Sequence, residues 1–124
     1  MTIEEIRELV AKTETPQIRA GEHHHFNDIW IVEAKGRLFC RQYSFAKKSW
    51  YDVFLQDPIG AVRCGDQVFA IKAQVPDDLE QIGAAINEAY LDKYANRFQS
   101  YPDIARQMTG SRYMSRTMEL VPVV

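Results

Sequence analysis

Long apolar runs are missing from this sequence. None approaches the roughly 18–20 residues needed to span a bilayer, so no membrane partner is expected. Cysteine is scarce. Cys40 and Cys64 are far apart and outside any C-x-x-C spacing, which excludes the disulfide framework of a small secreted scaffold. Their apolar, strand-like surroundings point to buried free thiols. The opening residues Met1 to Glu5 are acidic and lack the apolar core of a signal peptide, so a cytoplasmic location is expected. Neither charge sign is in large excess: 15 Lys and Arg face 17 Asp and Glu, for a formal net charge of -2. That excludes a chain-wide basic surface, and no nucleic-acid partner is expected. G-x-G-x-x-G, Walker, G-x-S-x-G and H-E-x-x-H motifs are absent, as are repeats, low-complexity segments and linkers.

What is present is globular. The chain has 124 residues, 46% of them apolar and 26% charged, enough for a single domain with one fold. The near-neutral total hides an uneven distribution. Residues 34–51 carry five bases (Lys35, Arg37, Arg41, Lys47, Lys48) and no acid, while the flanks on both sides are acidic. Eight of the fourteen aromatics also fall between Phe26 and Phe54. A basic segment interleaved with aromatics suits a ligand that is both anionic and planar. A solvated basic turn beside core aromatics is the alternative.

Periodicity supplies the elements. Residues 2–12 read as a helix with a Thr2/Glu5 capping box, and Thr13 to Pro16 stops it. Residues 17–20 read as a short strand. Asp28–Ala34 and Arg37–Tyr43 form a hairpin about Lys35-Gly36, with Leu38, Cys40 and Gln42 on one face and Phe39, Arg41 and Tyr43 on the other. Ser49 caps a short helix running to Gln56, with Asp52 as its partner. Ile59–Cys64 and Gln67–Val75 form a second hairpin. Asp77, paired with Glu80, opens a long amphipathic helix over 77–98. A short helix after Tyr101-Pro102 and a strand from Arg116 close the chain. The order predicts an α+β fold with an antiparallel sheet, and about six short strands could close into a small barrel.

The segments Ile29-Trp30-Ile31-Val32, Gly36-Arg37-Leu38-Phe39, Ser49-Trp50-Tyr51, Gly60-x-x-Arg63-x-Gly65, Ala89-Tyr90-Leu91-x-Lys93-Tyr94 and Thr117-Met118-Glu119-Leu120 resemble a family of small bacterial proteins of unknown function. That family is similar to the FMN-binding split-barrel proteins, which include pyridoxamine-phosphate-oxidase-like and deazaflavin-dependent nitroreductase-like members. The resemblance implies a six-stranded split β-barrel with flanking helices, paired as a homodimer. It implies FMN or a deazaflavin as cofactor, and hence a reductase in which the cofactor carries the hydride. Carried over residue by residue, its phosphate-holding positions are Arg41, Ser44, Lys47, Lys48, Ser49 and Trp50; Tyr43 joins these as a candidate ring contact on its residue type alone.

The residue types suit that chemistry. Arg41 offers a bidentate fork, Lys47 and Lys48 add point charges, and Ser49 stands where a helix begins. Trp50 or Tyr43 can lie against a flavin ring. Each has another use open to it: a surface ion pair for Arg41, an exposed loop for the lysines, core packing for Trp50. No acid–base pair is evident, and no catalytic residue is assigned. A non-catalytic ligand-binding module on the same fold is the second reading. His23-His24-His25 places at most two imidazoles on one side of a strand, so no metal site is assigned there.

Overall fold

The computed structural model describes residues 1–45, 49–99 and 101–124. Helix α1 (Ile3–Lys12) begins at Thr2, whose side chain accepts from Glu5 N while Glu5 accepts from Thr2 N. Seven strands follow: β1 (Gln17–Ala20), β2 (Asn27–Asp28), β3 (Ile31–Ala34), β4 (Arg37–Arg41), β5 (Ile59–Cys64), β6 (Gln67–Gln74) and β7 (Thr117–Pro122). Helix α2 (Trp50–Gln56) lies between β4 and β5. Helix α3 (Leu79–Tyr90), a π-helical segment (Leu91–Arg97), α4 (Pro102–Gln107) and α5 (Ser111–Met114) lie between β6 and β7.

The sheet is antiparallel throughout and ordered β2-β1-β5-β6-β7-β4-β3. It curls into a half-barrel of seven strands rather than the six expected. The extra strand comes from the run expected to be one strand, Asp28–Ala34. That run breaks at Ile29-Trp30. Its first part pairs with β1 at one edge of the sheet, and its second part pairs with β4 at the other edge. The two edges are thus neighbours in sequence, and Ile29-Trp30 crosses the seam between them. Ile29 N donates to Pro16 O there, at 2.9 Å.

Both faces of the curled sheet are used. One core gathers Ile18, Ile31, Leu38, Val62, Ile71 and Leu120 under α1 and α2. The other gathers Val32 and Phe39 under Ile82, Ile86, Tyr90, Tyr94 and Met108. This double burial leaves β4 almost wholly buried, with Leu38, Phe39 and Cys40 in succession at its centre. Lys35 and Gly36 both have positive φ (51° and 76°), as the two-residue turn of a tight hairpin requires. At Gly60 a side chain would collide: an added Cβ would lie 2.6 Å from Arg19 O and 2.7 Å from the Phe54 ring, so the close seat of α2 on β5 depends on glycine.

The long helix differs from expectation at both ends. Its N-cap is Asp78, not Asp77, and Asp78 makes no cap hydrogen bond; its carboxylate goes to Arg37 instead. Past Tyr90 the turns widen to π. Lys93 and Tyr94 are then both buried, with Lys93 Nζ donating to Val10 O (2.8 Å) and Ile31 O (2.7 Å), and Tyr94 Oη donating to Glu14 O (2.7 Å). Two adjacent residues therefore tie this helix to α1, to β3 and to the loop after α1. Cys40 and Cys64 are buried free thiols, and burial pushes both up from the ordinary cysteine range. No helix among the described residues is long and apolar enough to cross a membrane.

Candidate functional site

A cleft of about 660 Å³ opens at the seam of the half-barrel. One wall is the seam itself, Asp28, Ile29 and Trp30, together with Glu14 and Thr15 after α1. The facing wall is built from the end of β4 through the start of α2: Arg41, Gln42, Tyr43, Ser44, Ser49 and Trp50. Tyr101, Ile104 and Met108 of the α4 region close it.

Five of the seven expected ligand residues therefore share one cleft: Arg41, Tyr43, Ser44, Ser49 and Trp50. Lys47 and Lys48 lie outside the described residues. The five do not all stand as the sequence suggested. Arg41 is only 2% exposed. Its Nε donates to Thr117 Oγ1 (3.0 Å), its Nη1 to Asn87 Oδ1 (2.6 Å) and Met108 O (2.8 Å), and its Nη2 to Gly83 O (3.4 Å). The fork expected to clasp a phosphate is largely committed to the protein. Neither is it a surface ion pair. Every acceptor is neutral, and the nearest ring is Tyr90, 5.4 Å from the guanidinium carbon. Burial pushes its pKa down, opposed only by the Tyr90 hydroxyl. Arg41 is thus a buried cation with no carboxylate partner among the described residues, and one Nη2 hydrogen has no acceptor assigned. Buried charges in proteins are ordinarily paired, so such a cation favours an anion nearby.

Ser49 caps α2. Its Oγ accepts from Tyr51 N (3.1 Å), and its own N–H donates to Asp52 Oδ2 (3.2 Å). Asp52 also meets Arg116 at 3.3 Å. The start of this short helix is satisfied by its own side chains, so the expected open anion seat is not there. Trp50 packs edge-on against Tyr51 and Phe54 and rests on the main core, the packing use foreseen for it, while also lining the cleft. Tyr43 is half exposed and lies beside Tyr113, ring centroids 6.3 Å apart.

Sequence reasoning missed the other wall. Trp30 stacks on Tyr94 at 3.9 Å, with 6° between the planes, and Tyr101 lies 6.4 Å away. Trp30 belonged to the aromatic run but was read as a strand residue. Gln42 was placed on the inner face without a role. It is buried, and its Nε2 donates to Ser44 O at 2.6 Å.

Among the described residues, the basic segment does not form a patch. Lys35 sits on the hairpin turn, Arg37 pairs with Asp78 and Glu119 (2.9 Å each), and Arg41 is interior. About 13 Å of extended strand separates Arg37 from Arg41. His23, His24 and His25 are exposed in the loop between β1 and β2. Among the described residues, no group of three or more His, Cys, Asp or Glu is placed to hold a metal ion.

These features define an α+β protein built on an antiparallel half-barrel with a cleft at its seam. A similar fold occurs in the crystal structure of conserved hypothetical protein Rv2991 from Mycobacterium tuberculosis, which matches over all of this chain and 80% of that one, at 19% identity and a TM-score of 0.57. The chain belongs to DUF2255, a family of uncharacterized proteins conserved in bacteria, whose pattern covers residues 2–120. No curated protein matches the sequence.

Proposed function

We propose that the seam cleft binds a phosphorylated planar cofactor of the flavin or deazaflavin class. The observation that carries this reading is Arg41: a buried guanidinium without a carboxylate, in the wall of a cleft that also presents Trp30, Trp50, Tyr43 and Tyr101. The cation supplies electrostatic complement to an anionic group, and the rings supply stacking surface. Asp28 on the other wall disfavours a second negative charge there. The donor set therefore fits a ligand with one anionic end and a neutral aromatic body. When bound, a flavin or deazaflavin supplies hydride transfer, and the chain would position it and exclude water. Titration of purified protein with FMN and with a deazaflavin, followed by ligand fluorescence, tests this. Binding of either at tens of micromolar supports it, and no binding of both contradicts it.

A binding module without turnover is the second reading. The side chains lining the cleft include no histidine or cysteine, so the chain brings neither of these reactive groups to the site. Cofactor binding without any substrate reduction would favour it.

We also propose pairing as a homodimer. Ile59, Lys72 and Val121 stand in one row across β5, β6 and β7, and Val68 shares their face. All are exposed on a part of the sheet that no helix covers. Light scattering should give twice the chain mass of 14.3 kDa. Val68→Asp should lower it to one chain mass.

A further inference from the structure

We propose that Gln42 reads the bound ring, its side-chain carbonyl accepting a hydrogen bond from an N–H on the edge of a planar heterocycle in the cleft. This rests on the cofactor reading above and narrows it from planar and anionic to planar, anionic and carrying a ring N–H.

Gln42 follows directly on β4 and lines the cleft, yet its side chain is 3% exposed. Its Nε2 donates to Ser44 O, which fixes the direction of the amide. Oε1 is consequently turned the other way. It is buried and has no hydrogen-bond partner among the described residues. The other such atom is Arg19 Nε, beside Phe26 and not among the cleft-lining residues. A carbonyl withdrawn from water without a donor is destabilising, and native proteins seldom leave one unrelieved. Where the residue that carries the orphan lines a cleft, the missing donor can belong to a ligand.

The chemistry of that donor follows from the surroundings. Trp50 and Trp30 bring flat apolar surface to the same cleft, which suits a planar ring and not a flexible amine. Arg41, one residue earlier, is a cation and repels an ammonium donor. A neutral imide or lactam N–H remains. Inorganic phosphate, pyrophosphate and simple carboxylates offer no such donor, so none is the whole ligand. Isoalloxazine and deazaflavin rings share an imide edge. Adjacent residues thus divide the work, with Arg41 complementing the charge and Gln42 selecting the ring.

FMN and its N3-methyl analogue, titrated against wild type and Gln42→Met by flavin fluorescence, test this. Thermal melts confirm that the variant is folded. Wild type should bind the N3-methyl analogue about tenfold more weakly than FMN, because a site built to bond an N–H rejects the analogue lacking it. Gln42→Met should bind both alike, at the weaker value. If that variant does not fold, Gln42→Asn, which withdraws the carbonyl by one methylene, should show the same loss of discrimination. Equal binding of the two ligands by wild type overturns the assignment, as does full discrimination retained in the folded variant; either leaves the cofactor reading standing. Failure of wild type to bind FMN or a deazaflavin at all overturns both.

Discussion

β4 carries two arginines on the same face, four residues apart, and the protein treats them in opposite ways. Arg37 stands at the hairpin end, about a third exposed, and meets two carboxylates. Its guanidinium is held well above the usual arginine range, first by hydrogen bonds to Asp78 and Glu119. Arg41 stands at the cleft end, buried, among neutral acceptors, with its pKa pushed down by burial. Arg37 joins a partly exposed carboxylate, Asp78, to a buried one, Glu119, with two hydrogen bonds to each. Arg41 is an interior cation that the chain solvates with Thr117, Asn87 and two backbone carbonyls but does not neutralise. A charge that is paired is complete in itself. A charge that is buried, unpaired and beside a cleft leaves room for a counter-charge from outside.

Removing the two arginines separately should break the symmetry most plainly. Arg41→Met leaves Asn87 Oδ1, Met108 O and Thr117 Oγ1 short of donors inside the protein, and should lower unfolding free energy by about 3 kcal/mol or more in a urea titration. Arg41→Lys should recover little, since an ammonium cannot reproduce the planar fork. A loss below about 1 kcal/mol for Arg41→Met would mean that the fork is not a structural anchor.

Arg37→Met should cost about 2 kcal/mol, because Glu119 is left buried without its cation, and the part due to the partly exposed Asp78 should shrink in high salt. It carries a pH signature as well. Hydrogen bonding from Arg37 lowers the Asp78 pKa in the folded protein. The stability this contributes is fully present above the ordinary aspartate range and is lost as pH falls through the lowered value. Acid titrations of wild type should show that loss, and Arg37→Met should show less of it. Identical acid limbs would count against the pair.

Lys93 extends the comparison to a third cation, and here the expected change is smallest. It is buried between α1 and β3, donating to two carbonyls, and burial pushes its pKa down to about 7. The folded protein therefore binds fewer protons than the unfolded chain between about pH 7 and the ordinary lysine range. Stability should rise with pH across the lower part of that window. Higher up, Cys40 and Cys64 and then Tyr90 and Tyr94, all raised by burial, act with the opposite sign. Lys93→Met loses two donors but also a costly charge, so its net change at pH 7 should be under about 1 kcal/mol. The informative readout is the slope between about pH 7 and 8, which should be more positive in wild type than in the variant.

Much of this fold is legible in the residues. The Thr2 and Ser49 caps, both hairpin turns and the inward row Phe69, Ile71, Ala73 follow from short-range rules, and each is where those rules put it. What was not legible depends on long-range pairing. Nothing local says that Asp28–Ala34 divides between opposite sheet edges, because every residue in it suits a strand. Asp78 leaves its cap for Arg37, a partner 41 positions away. The site shows the same limit. Counting charge by segment drew attention to the cleft end of β4, but summed Lys35, Arg37 and Arg41 as if they shared a surface. Strand geometry separates them, and pairing and burial remove two from view. Aromatic content located Trp50 and Trp30 without showing that both line one cleft at the seam. Gln42 carried no signal in the sequence, since an orphaned carbonyl exists only once its neighbours are in place.

The central claim is that the cleft complements a negative charge on a planar ligand. Comparing FMN with riboflavin at neutral pH and low salt tests it most directly, since the two share a ring and differ in the phosphate. FMN should bind at least about tenfold more tightly, a difference of about 1.4 kcal/mol, and the gap should narrow as salt is added. Equal affinities for the two, or a preference for riboflavin, would contradict the role assigned to the buried Arg41 cation.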